Sequence, residues 1–334
     1  GQIHNMKLAI VGCTGLVGSE VLNVLTELSI PIKELILVAS EKNIGKKVEF
    51  KFEEINIVSI QEAIDQIPDI AIFCAGSEVS KKWAQKFVDS GTNVIDNSSF
   101  FRMEENIPLV VPEVNGDVLK KSNKIIANPN CSTIQMVVAL NNIYKKFGLK
   151  RLVISTYQSV TGTGQAAVKQ MRDERQGLKA KKVYPYQIDQ NCFPHGGDFL
   201  ENGYTTEEVK LIDETRKIFN DSSIQVTATV VRIPVVGGHS ESVNIETHKS
   251  FQIEEIIRTL IDTAGVKVQD NPSKFDYPMP LTAHKKNDVF VGRIRKDETI
   301  KNGLNLWIVA DNLRKGAATN AVQIADYIFK NNLL

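Results

Sequence analysis

The segment Asn128-Pro129-Asn130-Cys131-Ser132-Thr133 places a cysteine where a loop is expected to become a helix. Asparagine, serine and threonine are helix-capping residue types, and the apolar residues that follow recur at helical spacing through Phe147. Unpaired N–H groups and the positive end of the helix dipole favour a thiolate, which is the nucleophilic form of cysteine. Cys131 is therefore a candidate nucleophile. The alternative is a buried, inert cysteine, the commoner fate of this residue type.

Three other side chains have the chemistry to act on a carbonyl substrate. Gln158 closes a strand predicted over 151–157, where it can hold a carbonyl without competing as a base, or can simply be a polar strand end. Arg232 interrupts an apolar strand, and its fork suits a carboxylate; the alternative is a structural acidic partner. His239 follows two glycines in a predicted turn and is the candidate proton-transfer group, with His195 in another Gly-rich turn as its best rival.

Basic residues suited to phosphate occur at two places. Arg102 follows a predicted strand, on the side where α/β sheets bind ligands. Glu207 and Lys210 lie one turn apart on a helix predicted over 205–220 and share a face. This spacing alone indicates that Glu207 and Lys210 form a surface ion pair.

A dinucleotide-binding turn is predicted at residues 12–18, which read Gly-Cys-Thr-Gly-Leu-Val-Gly between a strand and a helix. The glycines permit a tight turn, close approach of the backbone to a pyrophosphate, and close helix–strand packing. The N-terminus of the following helix then faces the phosphates.

The end of the second predicted strand bears on cofactor choice. It reads Ala39-Ser40-Glu41-Lys42-Asn43. Ser40, Lys42 and Asn43 can hold a 2′-phosphate, which favours NADP. Glu41 can instead be interpreted as the acid that binds the ribose of NAD. In a third interpretation, Glu41 and Lys42 are both solvated loop charges.

The elements that position these residues fall into two regions. Up to about residue 130, continuous apolar strands alternate with helices, which indicates a parallel sheet covered on both faces. The later strands cluster in sequence, which indicates a mixed or antiparallel sheet. The strands are predicted over 7–11, 35–39, 70–74, 93–96, 109–111, 151–157, 225–233, 242–248, 289–294 and 304–310. The helices are predicted to run from the end of the Gly-rich turn at 18 to about 28 and over 77–90, 134–147, 165–175, 205–220 and 316–329, with a long loop over 177–203.

Composition excludes several classes of protein. The chain has 334 residues and a formal net charge of +1, with no basic run that suggests nucleic acid. No apolar stretch is long enough to span a membrane, and the start lacks the pattern of a signal peptide, so Met6 is a candidate natural start. The four cysteines are far apart in sequence, which supports neither a zinc site nor a disulfide framework. We therefore expect a cytoplasmic protein without a metal.

Together these motifs resemble those of one family, aspartate-β-semialdehyde dehydrogenase, over roughly residues 6–332. The spacings from Cys131 to Gln158 and from Arg232 to His239 also fit that family. In chain order, the motifs that carry the resemblance are the Gly-rich turn at 12–18, Asp96-Asn97-Ser98-Ser99 before Arg102, Asn128-Pro129-Asn130-Cys131, Gln158, the helix with Glu207 and Lys210, Arg232 with Gly238-His239-Ser240-Glu241, and residues 316–323.

The resemblance implies a role for each matched residue. Cys131 attacks the acyl carbon and forms a thioester, Gln158 orients the substrate, and His239 is the general acid/base. The implied substrate-binding residues are Arg232 for the α-carboxylate, Glu207 for the α-amino group (with Glu208 beside it), Arg102 and Lys210 for the phosphate, and Asn130. The implied cofactor-binding residues are Gly12, Thr14, Gly15, Leu16, Val17, Ser40, Lys42, Asn43, Thr161, Gly162 and Asn320.

The resemblance also implies the fold and the reaction. The expected fold is α/β: a Rossmann-like NADP-binding domain formed by 6–130 and 312–334, with an inserted α+β catalytic and dimerisation domain of mixed sheet over 131–311. The expected reaction is NADPH-dependent reduction of L-aspartyl-4-phosphate to L-aspartate-4-semialdehyde and phosphate, in the biosynthesis of lysine, threonine, methionine and diaminopimelate. A homodimer is expected, and the loop 177–203 is a candidate for reaching the partner subunit.

Two kinds of alternative share some of these features. N-acetyl-glutamyl-phosphate reductase and glyceraldehyde-3-phosphate dehydrogenase also use a cysteine and a histidine on a Rossmann scaffold, but the set of Glu207, Lys210 and Arg232 favours an amino-acid substrate. A non-catalytic NADP-binding paralogue would lack the cysteine or the histidine, and both are present here.

Overall fold

A computed structural model describes residues 5–334 of the chain. It divides into two compact units. The first unit comprises the residues up to Pro129 together with 317–334, and the second comprises 130–316. The first division falls immediately before Asn130, so the candidate nucleophile begins the second unit.

Seven strands form the sheet of the first unit. They are β1 (Met6–Val11), β2 (Ile32–Val38), β3 (Lys47–Phe50), β4 (Glu53–Val58), β5 (Ile70–Phe73), β6 (Asn93–Asp96) and β7 (Ile125–Ala127). Their spatial order is β3-β4-β2-β1-β5-β6-β7, and all neighbours are parallel except the β3–β4 hairpin at one edge. The winding direction reverses between β1 and β5, the place where doubly wound sheets bind ligands.

Helices cover both faces of this sheet. They are α1 (Leu16–Glu27), α2 (Ile60–Asp65), α3 (Ser77–Asp89), the short α4 (Pro112–Asn115) and α10 (Thr319–Lys330). Leu8 and Ile10 of β1 pack in the core with α1 and α10, whereas Ala9 and Val11 pack in the core with α2 and α3. Successive strand residues point to opposite faces, so burial on both faces explains the unbroken apolar runs in the sequence.

Six strands form the sheet of the second unit. They are β8 (Arg151–Gln158), β9 (Gln225–Arg232), β10 (His239–Glu246), β11 (Val266–Val268), β12 (Val289–Asp297) and β13 (Gly303–Ala310). Their order is β11-β12-β13-β10-β8-β9; the two outermost pairs are parallel and the inner pairs are antiparallel. The mixed sheet predicted from the clustering of strands is therefore confirmed.

One face of this mixed sheet is packed against a central helix. The helices of the unit are α5 (Cys131–Phe147), α6 (Gln165–Arg175), α7 (Thr206–Phe219), α8 (Ile253–Ile261) and the short α9 (Pro280–Ala283). Helix α5 contacts β10, β12 and β13 as well as α7 and α8, so it is buried on most sides. The opposite face of the sheet is more open: Ser242 is exposed there, and the rings of Tyr157 and Trp307 meet at a tilt of 51° with centroids 5.6 Å apart.

Several elements differ from the sequence prediction. Leu109 forms only an isolated bridge with Ala127, because the chain turns into α4 directly afterwards. The strands β3 and β4 alternate apolar and charged residues, so no apolar run announced them. Helix α10 begins at Thr319 after a π-helical turn over Arg314–Ala318. Helices α2 and α8 and strands β7 and β11 were also not anticipated. No helix within residues 5–334 is both long and apolar enough to cross a membrane.

Candidate active site

The Gly-rich turn of the first unit has the geometry of a phosphate cradle. Gly12 has a φ of +90°, and a Cβ atom there would lie 2.7 Å from the carbonyl oxygen of Cys74. A Cβ atom at Gly18 would overlap the carbonyl oxygen of Gly12. Gly15 occupies the N-cap of α1, and Leu16 begins the helix. The turn therefore requires glycines, for backbone conformation at Gly12 and for packing at Gly18.

A cavity of about 560 Å³ lies beside this turn in the first unit. Its lining includes Gly12, Ser40, Glu41 and two α3 residues that the sequence prediction missed, Lys82 and Trp83. Both follow β5 on the next helix, a position that the apolar strand itself does not reveal. The cavity fits the adenosine half of a dinucleotide, since it lies at the end of β2 next to the Gly-rich turn.

The remaining residues of the predicted strand-end set lie outside the lining of this cavity. Lys42 and Asn43 form a short 3₁₀ turn with Glu41, and Lys42 is exposed. The Asn43 side chain donates to Ser40 Oγ at 3.3 Å and accepts from Lys46 Nζ at 2.9 Å. Asn43 therefore fixes the loop rather than facing the cavity.

Three other predicted cofactor residues belong to the first unit. Thr14 is exposed within the Gly-rich turn, and Val17 packs partly against the core. Asn320 is fully buried, and its Nδ2 donates to Asn128 Oδ1 at 2.6 Å and to the carbonyl oxygen of Val110 at 3.0 Å. In this structure Asn320 ties α10 to the carboxyl end of the sheet.

Arg102 lies at the same edge of the sheet. Its Nε donates to the carbonyl oxygen of Asn128 at 2.9 Å, and its Nη2 donates to the carbonyl oxygen of Asn97 at 2.8 Å. Those two residues follow β7 and β6, so the guanidinium is fixed by the ends of two strands. Arg102 is thus a buried, oriented cation at the ligand-binding edge.

Cys131 is the first residue of helix α5, as the capping pattern predicted. The Asn130 side chain caps the helix by accepting from the Ser132 backbone N–H at 3.0 Å, and the Asn130 N–H donates to Glu214 Oε1 at 2.7 Å. A Cβ atom on Gly316 would lie 3.0 Å from the Cβ of Cys131, so Gly316 leaves room beside the thiol. Gly316 and the anchor Glu214 were not singled out from the sequence.

Two of the other cysteines are poor nucleophiles. Burial raises the pKa of Cys13 to about 11 and that of Cys74 to about 12. Both thiols therefore stay protonated at neutral pH, and the thiolate is the reactive form. Cys131 differs because it is only partly buried and lies at a helix N-terminus.

Gln158 lies next to the nucleophile, at the end of β8. Its Nε2 donates to Ser132 Oγ at 2.9 Å, and the side chain is almost fully buried. Ser132 directly follows Cys131, so this hydrogen bond fixes the Gln158 amide at the start of helix α5.

His239 is the first residue of β10 and is fully buried, whereas the sequence placed it in a turn before the strand. The Ser159 backbone N–H donates to its Nδ1 at 2.9 Å, so the proton of the neutral ring lies on Nε2. Burial, and secondarily the charge of Arg232, lower the pKa of His239 well below 6.5. The resting ring is thus a neutral hydrogen-bond donor.

Arg232 and His239 converge on one small space. A Cβ atom on Gly162 would lie 3.0 Å from His239 Nε2 and 3.1 Å from Arg232 Nη1. Arg232 Nη1 donates to the carbonyl oxygen of Ser159 at 2.7 Å, and its Nε has no hydrogen-bond partner among residues 5–334. Within that range Arg232 forms no ion pair, so it lacks the structural acidic partner that was the alternative from the sequence. It remains available for a carboxylate.

The α7 residues form more than a surface ion pair. Lys210 Nζ lies 2.8 Å from Glu207 Oε1, and Asn130 Nδ2 donates to Glu207 Oε2 at 3.1 Å. Burial raises the pKa of Glu207, but Lys210, Asn130 and Arg232 outweigh it, so the net pKa lies below 4.5. Glu208 has another function: it completes the capping box with Thr205 and accepts from the Val230 N–H at 2.9 Å.

Of the remaining predicted residues, Thr161 lies beside the cluster of Arg232 and His239, and His195 does not bond to it. Thr161 Oγ1 donates to Asn312 Oδ1 at 3.1 Å, next to Gly162. His195 stacks on Phe199 with centroids 4.5 Å apart, and its Nε2 lies 2.7 Å from the carbonyl oxygen of Gly197. His195 is therefore held within its own loop, and His239 is the histidine placed beside Arg232.

Comparison with known proteins agrees with this geometry. Residues 7–122 match the family model described as "Semialdehyde dehydrogenase, NAD binding domain", and 140–315 match "Semialdehyde dehydrogenase, dimerisation domain". Aspartate-semialdehyde dehydrogenase of Aquifex aeolicus is 51% identical over 98% of this chain and 99% of its own length. The Bacillus subtilis protein of that name is 47% identical over 99% of both chains. A crystal structure of aspartate semialdehyde dehydrogenase II from Vibrio cholerae complexed with ASA superposes with a TM-score of 0.94 at 44% identity, covering 98% of this chain and 99% of that one.

The fold and these matches define an oxidoreductase with a nicotinamide-dinucleotide-binding Rossmann domain and a dimerisation domain of mixed sheet. The chain belongs to the aspartate-semialdehyde dehydrogenase family. The resemblance and the fold class predicted from the sequence are confirmed.

Proposed function

We propose that the protein catalyses NADPH-dependent conversion of L-aspartyl-4-phosphate to L-aspartate-4-semialdehyde and phosphate through a thioester on Cys131. The observation that carries this proposal is the cluster in the second unit, where a helix-start cysteine, a buried glutamine, a neutral histidine and an unpaired arginine lie together. Family membership supplies the name of the semialdehyde, since relatives that align over 98% and 99% of the chain carry it. The product would supply the synthesis of lysine, threonine, methionine and diaminopimelate.

The charged residues suit the two ends of an amino acid. Arg232 offers a buried fork with a free Nε for the α-carboxylate. Glu207 stays ionised because of its lowered pKa and can pair with the α-ammonium group, with Asn130 fixing its orientation. Lys210 and Arg102 are the cations proposed for the phosphate.

The covalent step follows from the position of Cys131. The thiolate attacks the acyl carbon of the mixed anhydride, the acyl C–O bond breaks, and phosphate leaves with the electron pair. Backbone N–H groups at the start of α5 and the Gln158 amide can stabilise the oxyanion formed during the attack. A covalent intermediate divides one difficult displacement into two easier steps.

His239 contributes through Nε2. Since the Ser159 N–H occupies Nδ1, the Nε2 hydrogen points to the space shared with Arg232. There it can donate to the acyl oxygen as negative charge develops on it. This is the donor half of the general acid/base role predicted from the sequence.

The first unit fits the cofactor, because the cradle at Gly12 and Gly18 leaves no room for side chains at the turn. Gly12, Gly15 and the start of α1 would hold the pyrophosphate, and the cavity with Ser40 and Lys82 would take the adenosine. When bound, NADPH supplies the hydride that reduces the acyl group of the thioester. Thr161 and Gly162 are the residues of the second unit proposed to contact it.

The decisive experiment is the reverse reaction. NADP reduction should depend on both aspartate semialdehyde and inorganic phosphate, since phosphate must release the acyl group from Cys131. N-acetylglutamate semialdehyde and glyceraldehyde 3-phosphate serve as matched controls. Faster turnover of either control, or turnover without phosphate, would contradict the proposal.

We also propose a cytoplasmic homodimer. The open face of the second sheet carries the contact between the Tyr157 and Trp307 rings and a cavity of about 440 Å³ whose lining includes Pro278 and Met279. The family model for this region describes a dimerisation domain. Light scattering should therefore give about twice the 37.1 kDa chain mass, and Ser242→Arg on this face should shift the mass toward that of one chain. A wild-type mass of one chain would reject the dimer.

A further inference from the structure

Three buried polar side chains form a cluster next to His239 in the second unit. Glu241 follows His239 by two residues on β10, so both side chains point to the same face of the sheet. Thr156 is the residue paired with Glu241 across β8, and Gln135 lies one turn after Cys131 on α5. All three side chains are fully buried. The cluster consists of Gln135, Thr156 and Glu241.

The hydrogen bonds of Gln135 restrict the protonation state of Glu241. Gln135 Nε2 donates to the carbonyl oxygens of His239 at 3.1 Å and Ile308 at 3.3 Å, which uses both of its hydrogens. Within residues 5–334, Gln135 Oε1, Thr156 Oγ1 and both carboxyl oxygens of Glu241 lack a hydrogen-bond partner. The side chain of Gln135 is nevertheless close enough to Glu241 to lower its pKa, against the larger effect of burial, which raises it. Four unpartnered oxygen atoms from three side chains therefore lie in one buried cluster.

A 180° flip of the Gln135 amide, which exchanges its oxygen and nitrogen, does not give these oxygens better partners. Its oxygen would then face the carbonyl oxygens of His239 and Ile308, where only a donor is favourable. An ionised Glu241 would also be a buried charge without a cation, which is among the most costly arrangements in a protein. The nearby titratable or charged groups are His239 on β10, Cys131 on α5, and Arg232 on β9, which acts on His239. Level with Glu241, β8 and β13 contribute only Thr156 and Ile308.

We propose that Glu241 is a neutral acid that donates its proton to Gln135 Oε1 and thereby fixes the amide that holds the main chain of His239. Glu241 is then a positioning residue: it touches neither substrate nor cofactor and acts through Gln135 on His239. Burial raises the pKa of Glu241 well above 4.5, in the direction that the geometry requires. A neutral Glu241 also leaves no negative charge beneath His239 to stabilise an imidazolium. The positioning role rests on the function proposed for His239.

The protonation state can be tested without activity. Below about pH 4.5, Glu241 is protonated in both the folded and the unfolded chain, so it contributes no pH dependence. Above that pH the unfolded chain loses the proton and the folded chain keeps it, so wild type loses stability relative to E241Q as pH rises. The ratio of the two unfolding constants should change about tenfold per pH unit between pH 5 and 7, measured by urea titration at one protein concentration. A ratio constant over this range means an ionised Glu241 and overturns the proposal.

Kinetics then test the positioning role. E241Q keeps a donor for Gln135 Oε1, so kcat and the pH profile should match wild type within about twofold. E241M removes the donor at similar volume, and kcat should fall by at least tenfold while KM for the semialdehyde changes little. A shifted pH profile in E241Q would show that an ionised Glu241 tunes His239 and would reject the proposal. If E241M does not fold, the urea titration of E241Q decides. If His239→Asn keeps its rate, the function of His239 fails while the titration result still stands.

Discussion

The cofactor-binding region proposed in the first unit and the catalytic cluster proposed in the second unit are built differently. In the first unit the Gly-rich turn works through its backbone, and the side chains at the end of β2 are largely exposed: Ser40, Glu41 and Lys42 all reach solvent. In the second unit the chemistry belongs to buried side chains, and His239 and Gln158 are each fixed by a specific hydrogen bond.

This difference predicts how each part tolerates substitution. A buried group with fixed partners has no solvent to replace a lost interaction, so its removal should have a large effect. An exposed charge is screened and interacts weakly, so its removal should have a graded effect. Substitutions in the two units therefore test this contrast.

Cys131→Ser should abolish turnover and leave NADP binding intact. A serine hydroxyl at this position is far harder to ionise at neutral pH than a thiol. Steady-state assays and cofactor titration check both statements, and mass spectrometry of the acylated wild type should place the adduct on Cys131. Residual activity above a few per cent, or an adduct on Cys192, would identify a different nucleophile.

His239→Asn should lower kcat by about 10²–10⁴-fold, the usual contribution of a proton-transfer group. KM for the semialdehyde should change much less, because Arg232 and Glu207 still bind the substrate. His195→Asn is the matched control and should retain activity, since His195 bonds within its own loop. A larger loss of kcat in His195→Asn than in His239→Asn would assign the proton-transfer role to His195.

Glu207→Gln should raise KM for the semialdehyde by about 10–100-fold, because one charge-assisted hydrogen bond contributes about 1.5–3 kcal/mol. The free energy of unfolding should fall as well, because Glu207 is the less exposed member of its ion pair with Lys210 and also accepts from Asn130. Glu208→Gln is the contrasting variant: it weakens the capping box and the bond from Val230 N–H, so the free energy of unfolding should fall while KM stays near wild type. Equal effects of both variants on KM would contradict the division of roles.

Local patterns in the sequence were sufficient for much of the fold. The glycine and cap signals at Gly12 and Cys131 are short-range, and the helices over Gln165–Arg175 and Thr206–Phe219 appear where periodicity and capping predicted them. The β3–β4 hairpin escaped prediction because it lies at a sheet edge, where charged residues replace an apolar run.

Other parts of the site depend on contacts between distant residues, which no local pattern reports. The bond from Ser159 N–H to His239, the anchor of Asn130 on Glu214 and the burial of Glu241 each join different elements. No sequence pattern marks Lys82 as a residue of the cavity beside the Gly-rich turn, because an exposed lysine on a helix is usually only solvated. Family resemblance implied the candidate catalytic residues, and the structure adds the hydrogen bonds that orient them.

Lys82→Ala should raise KM for NADPH by about tenfold and leave any NADH activity unchanged. Lys82 lines the cavity at the end of β2, whereas Lys42 does not, so Lys82 is better placed to meet a 2′-phosphate. Lys42→Ala is the matched control, and an exposed charge-pair loss of about 0.2–1 kcal/mol should raise KM no more than about fivefold. A larger effect of Lys42→Ala would restore the assignment based on the sequence alone.

Glu41→Ala should have the smallest effect, in the opposite direction. Glu41 is exposed and lines the same cavity, so its carboxylate repels a 2′-phosphate through solvent. Its removal should lower KM for NADPH by about two- to fivefold, in line with a screened interaction of less than about 1 kcal/mol, and the gain should shrink as salt is raised. The affinity for NADH separates repulsion of a 2′-phosphate from the alternative role of Glu41. If Glu41 binds a ribose hydroxyl, its loss must weaken NADH binding. Weaker NADH binding together with unchanged NADPH binding would make Glu41 the NAD-type acid and remove the basis for NADP preference at this strand end.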